Sequence, residues 1–369
     1  MTVASRALPT IRWTTAVPVV ALLALVLTWG SHPGTPVLIV VGVLLAGSTL
    51  AAVHHAEVVA HRVGEPLGSL VLAVAVTIIE VALIVTLMVS GGKDTGTLAR
   101  DTVFAAVMIT CGGIVGASLL TATLRNRVAT FSAEGTGTAL ATVGTLAVLC
   151  MVVPAFTTGA PGREFTGGQL AFAAVASFVL YASFVFVQTI RHRDYFLPVD
   201  QAGKVVDPQG EEHAAPPSDR QTVTSLGLLV VALVSVVGLA KIESPAIEDL
   251  VESAGAPQSA VGVVIALLVL LPETIAAINA ARRDRVQVSL NLGLGSAMAS
   301  IGLTIPAIAV ASIWLDGPLE LGLEPVQIVL LSITLLASVL TVVPGRATLQ
   351  QAVVHLVLLG AFLFLAVSP

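Results

Sequence analysis

The stretch that decides the fold is residues 66–90, PLGSLVLAVAVTIIEVALIVTLMVS, in which Glu80 is the one ionisable residue. A helix that crosses a bilayer needs about 20 mostly apolar residues, and this segment supplies them. An acidic side chain within such a helix is costly, so it is expected to face a partner or a cavity and to have a function. The segment therefore predicts a membrane helix that carries a functional acid.

The whole chain has a similar composition. Its 369 residues are 56% hydrophobic and only 11% charged, which is unusual for a soluble globular protein. The apolar runs lack the short alternation of a membrane β-barrel, so the predicted fold is all-α and polytopic. The formal net charge of −5 gives no reason to expect a nucleic-acid partner. Cys111 and Cys150 lie within apolar runs, which favours free buried thiols.

Short polar segments divide the chain into predicted spans. The first span is interpreted as a membrane helix that is not removed as a signal peptide. We predict eleven transmembrane helices, at 14–28, 37–60, 66–90, 102–124, 135–157, 168–190, 221–240, 258–281, 287–313, 324–343 and 348–367.

A long polar stretch at 191–220 separates two groups of five helices. The predicted organisation is an N-terminal helix (1–30), a first repeat (31–190), a flexible cytoplasmic linker (191–220) and a second repeat (221–369). Because five is an odd number, the second repeat must cross the membrane in the opposite direction, as in many secondary transporters.

Cytoplasmic loops of membrane proteins are enriched in Lys and Arg. A cytoplasmic N-terminus puts most of the 17 basic residues inside and leaves only Lys93, Arg100, Arg163 and Lys241 outside. We therefore predict a multi-pass protein of the cell (inner) membrane, with its N-terminus in the cytoplasm and its C-terminus outside.

A second acid occupies the mirrored position. Residues 258–281, QSAVGVVIALLVLLPETIAAINAA, carry Glu273 near the middle, and this span, like that of Glu80, is the second of its repeat. By the predicted boundaries the other acidic residues lie in loops or near helix ends, which leaves these two in the hydrocarbon. The helix after each is rich in small residues, which allow the close backbone approach that an ion site between helices requires.

Two buried carboxyl groups can bind a cation and protons in competition. Burial and a neighbouring negative charge both favour the protonated form, whereas a hard cation binds the deprotonated oxygens. Metal binding then expels protons, and exchange is obligatory if the empty site cannot cross between sides. Glu80 and Glu273 are therefore the predicted metal ligands. A permanently protonated glutamic acid, hydrogen-bonded within the helix bundle, would be an alternative explanation for one such residue. It explains two acids at mirrored positions less well.

Two acids cannot fill the shell of a calcium ion, so other oxygens are needed. Thr77 lies one helical turn before Glu80, and Asn291, Ser289 and Ser296 lie early in the helix that follows Glu273. We predict these four residues as further cation or proton ligands, although each also has a reading as a polar residue in helix packing. Pro272 should free a carbonyl about one turn earlier.

Polar residues near the two ends of the predicted path could provide access. Glu57 and His55 belong to a cluster at the cytoplasmic end of the second span, and Glu248 belongs to an outer acidic group with Glu243, Asp249 and Glu252. Glu57, His55 and Glu248 are candidates for proton or cation access. A cluster of solvated side chains is the favoured explanation of the first group, and a solvated amphipathic helix explains the second equally well.

Two motifs resemble those of a known family. They are HAEVVAHRVGEPLGSL at 55–70, continuing to Val76-Thr-Ile-Ile-Glu80-Val, and Leu271-Pro-Glu273 with RVQVSLNLGLGS at 285–296 and Ile301-Gly-Leu-Thr-Ile-Pro306. These motifs are similar to the two repeats of bacterial calcium:proton antiporters of the calcium/cation antiporter superfamily. The resemblance implies that Glu80 and Glu273 are the cation-binding acids and that Ca²⁺, Na⁺ or K⁺ is exchanged for protons. The chain departs from the superfamily in having Val76-Thr77 and Val269-Leu270, and not Gly-Asn, ahead of the acids.

Two other classes of protein could use paired acids within a helix bundle. An intramembrane metal-dependent enzyme would need a nucleophile or His ligands at depth, which neither repeat supplies, and a passive cation channel would need neither. We expect a transporter and not an enzyme. Its expected partners are inorganic cations, protons and lipid, with Ca²⁺ or Na⁺ as cargo, no resident cofactor, and no prediction of oligomeric state.

Overall fold

The computed structural model describes residues 12–31, 33–64, 67–90, 95–200, 203–205, 217–314 and 317–368. Its helices are α1 (Trp13–Thr28), α2 (Thr35–Val63), α3 (Leu67–Ser90), α4 (Leu98–Met108), α5 (Val115–Asn126), α6 (Ala133–Ala147), α7 (Gly167–Phe186), α8 (Asp219–Ser253), α9 (Ser259–Val269), α10 (Leu271–Arg282), α11 (Val286–Gly302), α12 (Thr304–Ala311), α13 (Pro325–Val342) and α14 (Leu349–Val367). A π-helical turn at Ile109–Ile114 joins α4 to α5, and two short strands, β1 (Val128–Thr130) and β2 (Arg346–Thr348), pair antiparallel.

The predicted all-α membrane fold is confirmed, and helices occupy all eleven predicted segments. Within the described residues, eight helical segments are long and apolar enough to cross a membrane, and the bent pair α9 and α10 makes a ninth. The apolar helices at Trp13–Thr28 and Val74–Val89 are shorter than a full span. The number of eleven membrane crossings therefore stays a prediction. Cys111 and Cys150 are free and buried, as predicted.

Two sets of loops define two faces of the bundle. One face carries the ion pairs Arg62–Asp219 and Arg125–Asp284 together with the β1–β2 pair, and we call it the inner face. The other carries the Arg163–Glu324 ion pair, with Nη1 and Oε1 2.9 Å apart, and we call it the outer face. The predicted cytoplasmic side corresponds to the inner face.

The hydrophobic interior consists of two clusters that do not follow the two halves of the sequence. The first combines residues of α1, α2 and α3 with residues of α8 and α9. The second is formed mainly by α4 to α7 and α11 to α14. Helices α3 and α9 contribute buried side chains to both clusters, for example Ile79 and Ile84 of α3. The two halves are therefore packed into each other, and the helix of Glu80 lies where the clusters meet.

The contacts between the halves repeat with the roles exchanged. The first helices of the predicted repeats, α2 and α8, pack together. The third span of the first repeat contacts the second span of the other repeat through α4 and α9, and the reciprocal contact is that of α3 with α11 and α12. The third span of the first repeat also contacts the fifth span of the other through α5 and α14, and the reciprocal contact is that of α12 with α7. This reciprocity is what two similar halves related by a two-fold axis would produce.

Several residues named in the sequence analysis lie outside the described residues. They are residues 1–11 of the predicted N-terminal part, Glu65 and Pro66 of the first motif, Lys93, and residues 201–202 and 206–216 of the predicted linker. The described ends of the linker continue α7 through a π-helical turn to Arg191 and a 3₁₀ turn at Arg193–Phe196, and they lead into α8 at Asp219.

Gly262 makes the closest approach between α4 and α9, and a prediction follows from it. A β-carbon there would lie 2.8 Å from the Thr102 nitrogen and 2.9 Å from the Asp101 carbonyl carbon, both of which are backbone atoms. We expect Gly262→Ala to destabilise the protein by about 1–3 kcal/mol, because the two helices must separate. The measurement is the midpoint of thermal unfolding in detergent. Gly360→Ala is the matched control, since nothing lies within 4 Å of its β-carbon, and an equal loss in both variants would contradict the prediction.

Candidate cation site

Glu80 lies in the interior of α3 and is only 2% exposed. Ser300 of α11 donates a hydrogen bond from Oγ to Glu80 Oε2 at 2.9 Å. The other oxygen, Oε1, is buried and has no hydrogen-bond partner in the part of the chain that the structure describes. One oxygen of the carboxyl group is thus held and the other is available to a ligand.

Glu273 is positioned by a break in its helix. Helix α9 ends at Val269 and α10 begins at Leu271, with a 51° bend between them. Pro272 falls in the first turn of α10, where its missing N–H costs no hydrogen bond, so the sequence starts a new helix there. Glu273 is also in this first turn, and the free N–H groups of a helix start favour a negatively charged side chain. The break lies at the proline, and the carbonyl that Pro272 was expected to free stays a prediction.

A cavity of about 230 Å³ adjoins Glu273. Helices α3, α7, α10 and α11 supply its walls, and it extends to Gln188 and Val288 near the inner ends of α7 and α11. Glu273 Oε2 is buried and is without a hydrogen-bond partner among the residues described. The structure therefore places this acid between the middle of the bundle and a cavity on the inner side.

The two acids lie near each other. Val76, one turn before Glu80 on α3, lines the same cavity as Glu273. Neither glutamate takes part in an ion pair with any basic side chain that the structure describes. The described residues therefore offer the two acids no neutralising positive charge.

The other predicted ligands fall into two groups. Thr77 is 7% exposed, and its buried hydroxyl has no partner in the described structure; Ser296 lines the cavity. Asn291 also lines the cavity, but its Nδ2 donates to the Phe196 carbonyl at 2.7 Å and its Oδ1 accepts from Gln287. Ser289 lies elsewhere and donates to the carbonyl of Ala277 at 2.7 Å.

The sequence analysis missed two hydroxyl groups beside Glu80. Ser300 donates to its carboxylate, and Thr304 faces the same group with a buried hydroxyl that has no hydrogen-bond partner among the described residues. Ser296, Ser300 and Thr304 recur every four residues, so a continuous helix would place them along one face. That spacing was the available signal, but the helix after Glu273 was described from its sequence only as rich in small residues.

The predicted access residues are placed differently from one another. Glu57 is exposed near the inner end of α2. His55 is buried, with Nε2 2.9 Å from the Thr14 carbonyl oxygen and Nδ1 3.3 Å from Ser225 Oγ, so it ties α2 to α1 and α8. Glu248, near the outer end of α8, accepts a hydrogen bond from Ser244.

Two further acids, outside the predicted spans, are buried against other helices. Helix α8 has 35 residues and continues well past the predicted boundary at residue 240, so Glu243 packs inside the bundle at 8% exposure. Asp101 is also buried at 3%, but it is paired with Arg100, whose Nε lies 2.9 Å from Asp101 Oδ1.

No group of three or more His, Cys, Asp or Glu side chains among the described residues could hold a metal ion. A divalent cation prefers about six to eight oxygen ligands. Here the shell of a transported cation would consist of the two carboxylates with hydroxyls, backbone carbonyls and water.

Comparison with known proteins agrees with this geometry. The family model described as sodium/calcium exchanger protein matches residues 34–190 and 224–368. A protein of Sinorhizobium fredii named y4hA, described as an ionic transporter, is 45% identical over 88% of this chain and 87% of its own length. The sodium-potassium/proton antiporter ChaA of Escherichia coli is 32% identical over 94% of this chain and 93% of its own.

Among solved structures, the Ca²⁺/H⁺ antiporter protein YfkE has a similar fold. It superposes with a TM-score of 0.70 over 97% of this chain and 98% of its own, at 13% identity. The chain belongs to the sodium/calcium exchanger family, and it is a multi-pass cation antiporter of the calcium/cation antiporter superfamily and not an enzyme.

Proposed function

We propose that this protein exchanges Ca²⁺, and also Na⁺ or K⁺, for protons across the cell (inner) membrane by alternating access. Glu80 and Glu273 bind the cation or the protons in competition. The observation that carries the proposal is a buried Glu80 and a half-buried Glu273 close to it in the bundle, each with a buried oxygen that lacks a hydrogen-bond partner in the described structure.

The proton requirement follows from electrostatics. An ionised carboxylate in a medium of low dielectric constant is costly unless an opposite charge or hydrogen bonds compensate it. Since no described basic side chain pairs with either glutamate, protons or a cation must supply the positive charge. Hard cations need the deprotonated oxygens, so the two ligands exclude each other.

The remaining ligands are hydroxyl groups. The side chains of Thr77, Ser300 and Thr304 place hydroxyl oxygens in the buried surroundings of Glu80, and Ser296 extends this set along the cavity wall. Asn291 has its amide engaged by Phe196 and Gln287. We therefore assign Asn291 the role of holding the cavity wall in place, with its carbonyl oxygen as a secondary ligand. Ser289 fits a role in helix packing.

The packing favours an antiporter over a passive channel. The cavity beside Glu273 extends toward the inner face, whereas toward the outer face α4 and α9 meet so closely at Gly262 that a β-carbon would clash with backbone atoms. One-sided access is what alternating access requires, and the reciprocal contacts between the halves support two inverted repeats. The names of the E. coli relative and of YfkE refer to monovalent and divalent cations respectively, and the same chemistry would admit both here.

The first test replaces each acid separately. We expect Glu80→Gln and Glu273→Gln each to slow cation-dependent proton movement at least about a hundredfold, equivalent to roughly 3 kcal/mol, because an amide cannot supply the charge that binds a cation. The measurement uses everted vesicles with a pH probe, and additions of Ca²⁺, Na⁺ and K⁺ in turn. The wild-type protein must collapse the pH gradient with at least one of these ions.

Glu252→Gln is the control, because Glu252 lies on α8 with its side chain exposed. Full exchange by either central variant would refute the proposed competition. Cation flux in the wild-type protein without any proton movement would favour a channel.

A second prediction concerns the hydroxyl beside Glu80. Ser300→Ala removes a hydrogen bond to a carboxylate, which is worth about 1.5–3 kcal/mol, so we expect the apparent affinity for the transported cation to fall by roughly tenfold or more. The maximal rate should change less than the affinity, and both come from the cation dependence of exchange. Ser332→Ala is the control, since Ser332 is exposed on α13 and donates to its own helix. Equal affinities in the two variants would exclude Ser300 from the site.

A further inference from the structure

Glu243 is a buried acid that the proposed site does not use. It is 8% exposed on α8, and its Oε1 has no hydrogen-bond partner among the described residues. It faces α2 at Gly42, where a β-carbon would lie 3.8 Å from that oxygen. Helices α2 and α8 pack together, and both contribute to the first hydrophobic cluster.

The depth of Glu243 places it near the outer face. It lies 24 residues after Asp219 at the inner face, or about 36 Å along the helix axis. Lys241, two residues earlier, holds its ammonium group 5.4 Å from the ring centroid of Trp29, and Trp is enriched at membrane boundaries. Gly42 is seven residues, or about 10 Å, into α2 from its outer end.

Charged groups around Glu243 do not neutralise it. On α8 itself, Glu248 is engaged by Ser244, and Lys241 is directed to the Trp29 ring beyond α1. The titratable side chains of α2 begin at His54, twelve residues or about 18 Å inward from Gly42. On α3, Glu80 is bound by Ser300, and α9 contains no titratable residue.

Glu57 and Glu243 occupy reciprocal places in the two predicted repeats. Glu57 lies on the first helix of one repeat near the inner face, and Glu243 lies on the first helix of the other repeat near the outer face. In this structure Glu57 is exposed on the side to which the cavity extends, whereas Glu243 is buried. The acid near the inner face, to which the cavity extends, is therefore exposed, and the acid near the outer face is buried.

We propose that Glu243 is a proton-binding group on the outer side of the transport path. The carboxyl group keeps its proton while α2 and α8 are packed together at Gly42, because ionisation there would leave a desolvated charge. When the outer face opens, water reaches the group and the proton passes to the outer solution. This inference rests on the proposed exchange of cations for protons.

The test measures exchange by the full-length protein in right-side-out and everted vesicles, with the pH of one face varied and that of the other held fixed. In Glu243→Gln, the change in exchange rate produced by a given change in outer-face pH is expected to be at least about fivefold smaller than in the wild type. Fivefold is the lower end of the usual coupling between linked binding sites. The dependence of this variant on inner-face pH should match the wild type. Glu252→Gln, an exposed acid on the same helix, should keep both dependences.

Glu243→Asp keeps a carboxyl group on a shorter side chain. It should retain the outer-face dependence with a shifted midpoint, and it carries the test if the Gln variant does not reach the membrane. A Glu243→Gln profile identical to the wild type on the outer face, an equal loss on both faces, or an unshifted Asp midpoint would each overturn the role of Glu243. Absence of cation–proton exchange in the wild-type protein would instead overturn the proposed function.

Discussion

The rest of the structure depends on two carboxyl groups within the bundle that no basic side chain of the described structure neutralises. Glu80 is 2% exposed, and Glu273 has a buried oxygen with no hydrogen-bond partner among the residues described. Such a pair would destabilise the fold if both groups were ionised and empty, so its charge must be compensated by something that enters from solution. The uncompensated negative charge makes the ionised pair unfavourable in the fold. The proposed function uses the same charge, because either protons or a cation can compensate it.

The two acids are presented in different ways, and the difference has a local cause. Helix α3 is continuous through Glu80, so its carboxylate depends on a donor from a neighbouring helix, Ser300. The α9–α10 span breaks before Pro272, so Glu273 lies at a helix start whose N–H groups favour negative charge without a side-chain donor. The broken span also borders the cavity, which gives one acid the more direct contact with the inner side.

Much of the fold could be predicted because hydropathy and spacing are local properties. Helices formed at every predicted segment, and the two acids that interrupt apolar runs were found for the same reason. The end of α8 was missed because Lys241 and Glu243 resemble a loop boundary, although Ser244 and Pro245 continue within the helix. The roles of Ser300 and Asn291 depend on partners 220 and 95 residues away, Glu80 and Phe196, and no local pattern specifies those partners.

The division of the interior into two clusters links packing to transport. Because α3 and α9 contribute to both clusters, a shift of one cluster over the other changes the surroundings of Glu80 and of the break before Glu273 together. Packed interiors have discrete arrangements and do not deform continuously, so such a shift would move between defined states. A proton or cation that neutralises the acids lowers the cost of passing through an enclosed state, whereas an empty charged pair raises it. The proposed exchange would then be coupled through the position of the acids where the two clusters meet.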